Sequence, residues 1–174
     1  MTESYPGTLS LTKRVLRLLI KLNFLAGFLI LALLVASLLA ESWVIRALGA
    51  EHPGDQTTFI MGIRVIMIIG ICAVPFVLLV LNRLLEIVET VSVGDPFVVE
   101  NADRLQTIAW AMLGLQAMHL VVGAVVAFVS SEAHPLDIGW EFSVTPWLVV
   151  LLCFVLARVF EQGARMREDL QGTV

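Results

Sequence analysis

Cys72, His119 and Cys153 are the soft or titratable groups inside the apolar stretches of this 174-residue chain, and Cys, Cys and His form a donor set that suits zinc. Each belongs to a different stretch with no motif spacing, and a cysteine so placed is ordinarily a small buried hydrophobe, so no metal is expected. The preferred reading is a neutral His119 that hydrogen-bonds across the helices together with Gln116, one turn away. These two intramembrane polar residues mark where a pathway would run if the protein were a transporter. Between the stretches, His52 and His134 are flanked by Glu51, Asp55, Glu132 and Asp137, a set able to hold a divalent cation or register pH. A solvated loop is preferred, because a metal site needs convergent geometry. No Walker loop, dinucleotide fingerprint, nucleophile elbow or HExxH is present, so no catalytic residue, no cofactor and no enzyme are expected.

The remaining chemistry is charge at helix ends. Arg83 with Glu86, and Arg158 with Glu161 and Arg165, stand at i, i+3 and i, i+7. Exposed pairs of this kind contribute only about 0.2–0.5 kcal/mol each, so they are free to exchange with a partner's charges. Phe97, fixed beside Pro96, is the only aromatic in the Gly94-Asp95-Pro96-Phe97 turn; it is either an anchor for a partner or a plug in the inner end of the fold. With Asn101 and Arg104 these residues make up the candidate partner-binding surface.

Four apolar stretches must position all of this, at about 22–39, 60–81, 108–129 and 144–157. A hydrocarbon core of about 30 Å takes about 20 helical residues, so each is long enough to cross, the shortest with snorkelling or thinning. A mean hydropathy of +0.92 and 59% hydrophobic residues exclude an aqueous-cored globule. The expectation is an all-α, integral membrane four-helix bundle of two helical hairpins, forming one domain with the lipid bilayer as its solvent. The net charge of -4 hides a segregation. Lys13, Arg14, Arg17, Lys21, Arg83, Arg104, Arg158, Arg165 and Arg167 fall on one side, and the loops opposite are acidic apart from Arg46 and Arg64. The positive-inside rule then puts both termini in the cytoplasm, with a cytoplasmic hairpin at 82–107 and tail at 158–174. Trp43, Trp140 and Trp147 would mark the outer interface and Trp110 the inner one. The first stretch exceeds a signal peptide's apolar run and has Leu38 at the minus-three site, so it is expected to be retained.

Local signals refine this. Ala32, Ala36 and Ala40 form a small-residue stripe suited to helix packing. Pro75 should kink the second helix. Leu84, Leu85, Val88 and Val91 extend that helix about two turns past the bilayer, to be covered by Val159, Phe160 and Met166 of the fourth. Gly94 should end it, with Asp95 before Pro96, or else Asn101, as the next cap. Leu81-Asn82-Arg83-Leu84-Leu85-Glu86 and Leu156-Ala157-Arg158-Val159-Phe160-Glu161 form a weak repeat that chance explains equally well.

At Gly94-Asp95-Pro96-Phe97, Glu100-Asn101-Ala102, Arg104-Leu105, Val159-Phe160-Glu161-Gln162-Gly163 and the tail Asp169-Leu170-Gln171-Gly172-Thr173-Val174, the chain resembles the bacterial family catalogued as domain of unknown function 2975. The resemblance runs from the first span to the C-terminus. It implies a small four-span protein often encoded beside a helix-turn-helix regulator, and hence a regulatory partner; it assigns no catalytic residue. Val98-Val99 stand where the family often has Ser or Thr before the Glu-Asn pair.

The expected function is therefore a non-enzymatic regulatory protein of the bacterial inner membrane that binds a cytoplasmic partner, such as a helix-turn-helix regulator, through its hairpin and tail. The alternative is a subunit of a small channel or transporter, which with four spans would need a homo-oligomer. The basic residues lie at the membrane edge, so anionic lipid is a better match for them than nucleic acid.

Overall fold

A computed structural model describes residues 6–40, 56–129 and 142–171. They form four helices: α1 (Pro6–Leu39), α2 (Gln56–Val93), α3 (Val99–Val129) and α4 (Thr145–Gln171). All four are long and apolar enough to cross a membrane, and no strand occurs among the described residues. The all-α four-span expectation stands. The predicted outer loops with His52, His134 and their carboxylates, together with Trp43, Trp140 and Gly172 to Val174, lie outside the described residues.

The helices outrun a bilayer. At about 1.5 Å per residue, the 38 residues of α2 measure about 57 Å against a hydrocarbon core of about 30 Å. Its apolar 60–81 segment therefore spans, and a polar-faced extension stands beyond it. The same end carries a helical α1 from Pro6 onward, so the basic segment before the first span is itself helix, and α4 continues past Ala157 to Gln171.

Each helix packs on its neighbour in the chain: α1 on α2, α2 on α3, α3 on α4. The pairs are antiparallel, as their crossing points show. Lys13 meets Ser92 and Gly27 meets Val74 across α1 and α2. Gly62 meets Val129, Gly114 meets Phe76 and Asn101 meets Thr90 across α2 and α3. Trp110 meets Phe154 edge-on across α3 and α4, with ring centroids 5.3 Å apart. α3 is central and carries half of the buried hydrophobic side chains among the described residues, Ala102, Leu105, Ile108, Ala109 and Ala111. Small residues let backbones approach where no aqueous driving force acts: a Cβ on Gly62 would stand 2.6 Å from Val129 Cγ2.

Helix ends follow local chemistry. Gly94 ends α2 at φ +90°, a conformation a side chain resists. The bonds Gly94 N–H to Val91 O, 3.1 Å, and Asp95 N–H to Thr90 O, 3.2 Å, complete a Schellman cap. The start of α3 corrects both predicted caps. Val98 accepts the first bond, from the Asn101 amide at 3.0 Å, so residues 95–98 are a turn and Asn101 sits in the first helical turn. The buried Asn101 side chain is used elsewhere.

Pro75 lies inside α2, and Asn23 of α1 donates from Nδ2 to the carbonyl of Val74 beside it, at 3.0 Å. The bond ties α1 to α2 across the spans, next to the proline. At the opposite end Arg64 donates to Ser37 O, in the last turn of α1. Its cation also faces the negative pole of that helix.

Candidate functional site

The predicted partner-binding residues gather at the basic end, where α2 and α3 turn into each other, and the structure divides them into an internal staple and a free surface. The staple begins with Arg83, which donates to Glu86 Oε2 at 2.8 Å; Arg104 Nε donates to the same oxygen at 3.0 Å. Arg104 NH1 also donates to Asn101 Oδ1 at 2.7 Å. Asn101 Nδ2 in turn donates to Thr90 Oγ1 at 2.7 Å and to Pro96 O at 2.9 Å. Thr90 passes its own proton to Ile87 O at 2.8 Å. Asn101 is completely buried, so as a partner contact it is corrected: it is the keystone of the α2–α3 turn. With the buried Asn101 fully bonded at its centre, this partly exposed network favours one geometry of the turn.

The Arg83 guanidinium holds the Glu86 carboxyl below the usual carboxylate range; partial burial opposes this, and Arg104 adds to the lowering. Glu86 stands beyond the 60–81 segment, in the extension.

A second cluster joins that turn to α4. The Phe97 ring packs on Phe160 with centroids 5.4 Å apart, and a Cβ on Gly163 would stand 3.0 Å from Phe97 Cδ1. Asp95 pairs with Arg167. On α4 itself, Glu161 accepts from Arg158 at 2.9 Å and from Arg165 at 2.6 Å. The repeat seen in the sequence thus has a structural counterpart, since Arg83–Glu86 and Arg158–Glu161 close the same i, i+3 pair.

Phe97 fills the space over Gly163 yet stays 46% exposed, so it touches α4 with one face and leaves the other uncovered. The predicted seam between the ends of α2 and α4 is not formed. α3 stands between them, Val91, Val159 and Met166 remain exposed, and Leu84, Leu85 and Val88 are only partly covered. Three grooves open around the first turns of α3: about 250 Å³ between Ala102 and Arg158, about 200 Å³ between Phe97 and Glu168, and about 220 Å³ between Arg83 and Asp103.

Within the spans the soft groups do not converge. Cys72 stands level with His119, following the Gly62–Val129 and Phe76–Gly114 crossings. Cys153 adjoins Phe154, which meets Trp110, and so lies about 12 Å nearer the basic end. Among the described residues no three His, Cys, Asp or Glu side chains come together to hold a metal. Of the two polar residues of the α3 span, Gln116 is buried and His119 exposed. A groove of about 520 Å³ at the far end, between α2 and α3, is lined by apolar groups such as Met61, Val125 and Phe128 with Thr57 and Thr58.

Sequence reasoning missed Asn23 and Ser37. Both look like minor polar interruptions in an apolar run; a signal for Asn23 was its presence opposite a helix containing proline.

No curated protein and no solved structure matches the chain. One family model does, over residues 43–174, which takes in α2, α3, α4 and the stapled turn and begins after α1, a narrower reach than the sequence resemblance implied. The chain belongs to the family described as Protein of unknown function (DUF2975).

Proposed function

We propose that this multi-pass membrane protein is a non-enzymatic regulator in the bacterial cytoplasmic membrane, with both termini inside and the stapled end presented to a soluble partner. One observation carries the reading: past the 60–81 and 144–157 segments the helices are tied by hydrogen bonds and ion pairs, yet Phe97 is left 46%, Val159 52% and Met166 62% exposed. Apolar side chains grouped on an ordered surface outside lipid mark interaction sites. Arg158, Glu161 and Arg165 rim that surface with pairs weak enough to exchange. A helix-turn-helix regulator encoded beside the chain is the partner that the resemblance suggests.

The test is co-purification of such a regulator with the full chain in nanodiscs, comparing wild type with Val159→Ser/Met166→Ser, which sits outside the staple. Loss of the regulator with unchanged melting is expected; equal retention by both proteins overturns the reading. The channel alternative is weaker, because the large groove is apolar and the buried polar side chains of the described spans, Ser37 and Gln116, form no continuous row.

A further inference from the structure

The arginines at the basic end fall into two classes. Arg83, Arg104, Arg158, Arg165 and Arg167 all pair with carboxylates of this chain. Arg14 and Arg17 of α1 are exposed and form no ion pair with any described residue. Glu100 and Asp103 are their counterparts on α3, equally exposed and equally without an ion pair among the described residues. Each set is spaced i, i+3, so each forms a short row on one face of its helix.

The two rows lie within about one helical turn, roughly 6 Å, of the same depth. Lys13 reaches Ser92 on α2, and Thr90, half a turn away, holds Asn101 on α3. The Gly27–Val74 crossing sets Arg14 about one turn deeper than Glu100, near Arg104, and Arg17 equally deeper than Asp103, a gap that arginine side chains leaning toward the helix N-terminus can close. Within one chain α2 stands between them, because α1 packs on α2 and α2 on α3. A bilayer holds every copy at one depth and in one orientation, so a second copy brings its basic row within reach of the first copy's acidic row.

We propose that α1 of one copy docks along the open face of α3 of another, Arg14 on Glu100 and Arg17 on Asp103. α1 and α3 run in the same direction, and the register that aligns these charges also sets Phe24, 57% exposed, opposite Trp110, 59% exposed. The grooves on either side of Glu100 and Asp103 give two arginine side chains room to enter. The contact is head-to-tail, using different surfaces on the two copies, so it builds a ring or a row and not an isolated pair. It is independent of which side of the membrane the basic end faces and of any soluble partner.

The test is association of fluorescently labelled full-length chain in liposomes of neutral phosphatidylcholine, read by energy transfer against protein-to-lipid ratio. Arg14→Glu/Arg17→Glu should weaken association by about two- to thirtyfold, as two lost exposed pairs imply. Glu100→Arg/Asp103→Arg should do the same, and the quadruple variant should recover the wild-type value. Because added arginines beside Arg83 and Arg104 could disturb the staple, a second measurement uses Arg14→Cys/Glu100→Cys in a chain with Cys72→Ala and Cys153→Ala. Oxidation should give disulfide-linked oligomers that Leu19→Cys/Glu100→Cys does not. Association unchanged by Arg14→Glu/Arg17→Glu overturns the proposal, as does the absence of the cross-link. An effect that appears only when anionic lipid is added also overturns it, and assigns the basic row to headgroups.

Discussion

Replacing Asn101 by alanine should cost more than any other single polar change at the basic end. Its side chain makes three bonds, to Thr90 Oγ1, to Pro96 O and from Arg104 NH1, and is fully buried. Neutral bonds contribute about 0.5–1.5 kcal/mol each and a charge-assisted one about 1.5–3 kcal/mol, which brackets the loss between about 2.5 and 6 kcal/mol. The lower half applies, because Arg104 keeps Glu86 and Thr90 keeps Ile87 O. About 3 kcal/mol corresponds to a melting temperature lower by about 6–12 °C for a chain of this size. Thermal unfolding in detergent, followed by tryptophan fluorescence, measures it, and Asn82→Ala, an exposed asparagine one turn before Glu86, is the control. Hydrogen exchange over residues 94–98 should accelerate in Asn101→Ala alone. A drop below about 2 °C, or equal drops for both variants, would falsify the keystone role.

Three further outcomes follow from the same geometry. Glu86 has a folded-state pKa below its unfolded value, so its stabilisation is present above the unfolded pKa and is lost as pH falls through the folded one. The wild type should thus lose stability more steeply than Glu86→Gln below about pH 5, by about 0.5 kcal/mol or less because the pair is partly exposed; parallel acid titrations of melting would count against the pairing. Gly62→Ala places a Cβ 2.6 Å from Val129 Cγ2 and should destabilise by about 1–3 kcal/mol, with recovery in Gly62→Ala/Val129→Ala. Asn23→Leu removes the cross-helix bond to the Val74 carbonyl and should cost about 1 kcal/mol in steric-trapping assays, and no cost would mean that this bond adds nothing to α1–α2 packing.

The four spans and the Gly94 stop were legible because length, hydropathy and the need for positive φ act locally. Arg83–Glu86 and Arg158–Glu161 were legible for the same reason, being fixed by helical spacing. Asn101 was misread because a cap and a buried network member have the same residue type, and only the position of Thr90 on another helix tells them apart. The α2–α4 seam was misread because an apolar stripe announces that it needs cover without naming the neighbour. Cys72, His119 and Cys153 were grouped by counting along apolar runs, whereas their depths depend on where each helix crosses the next.

Packing each helix on the one before it also fixes an order of assembly. Contacts between consecutive hairpin arms close short loops, whose entropic cost is small, so α1–α2 can form before α3 has left the ribosome. α4 then adds to a finished three-helix template through Trp110–Phe154 and Phe97–Phe160, and no earlier contact has to break to admit it. A chain stopped after Val129 should insert and hold its α2–α3 staple, whereas one lacking α2 would strand α1, whose extensive packing among the described residues is against that helix.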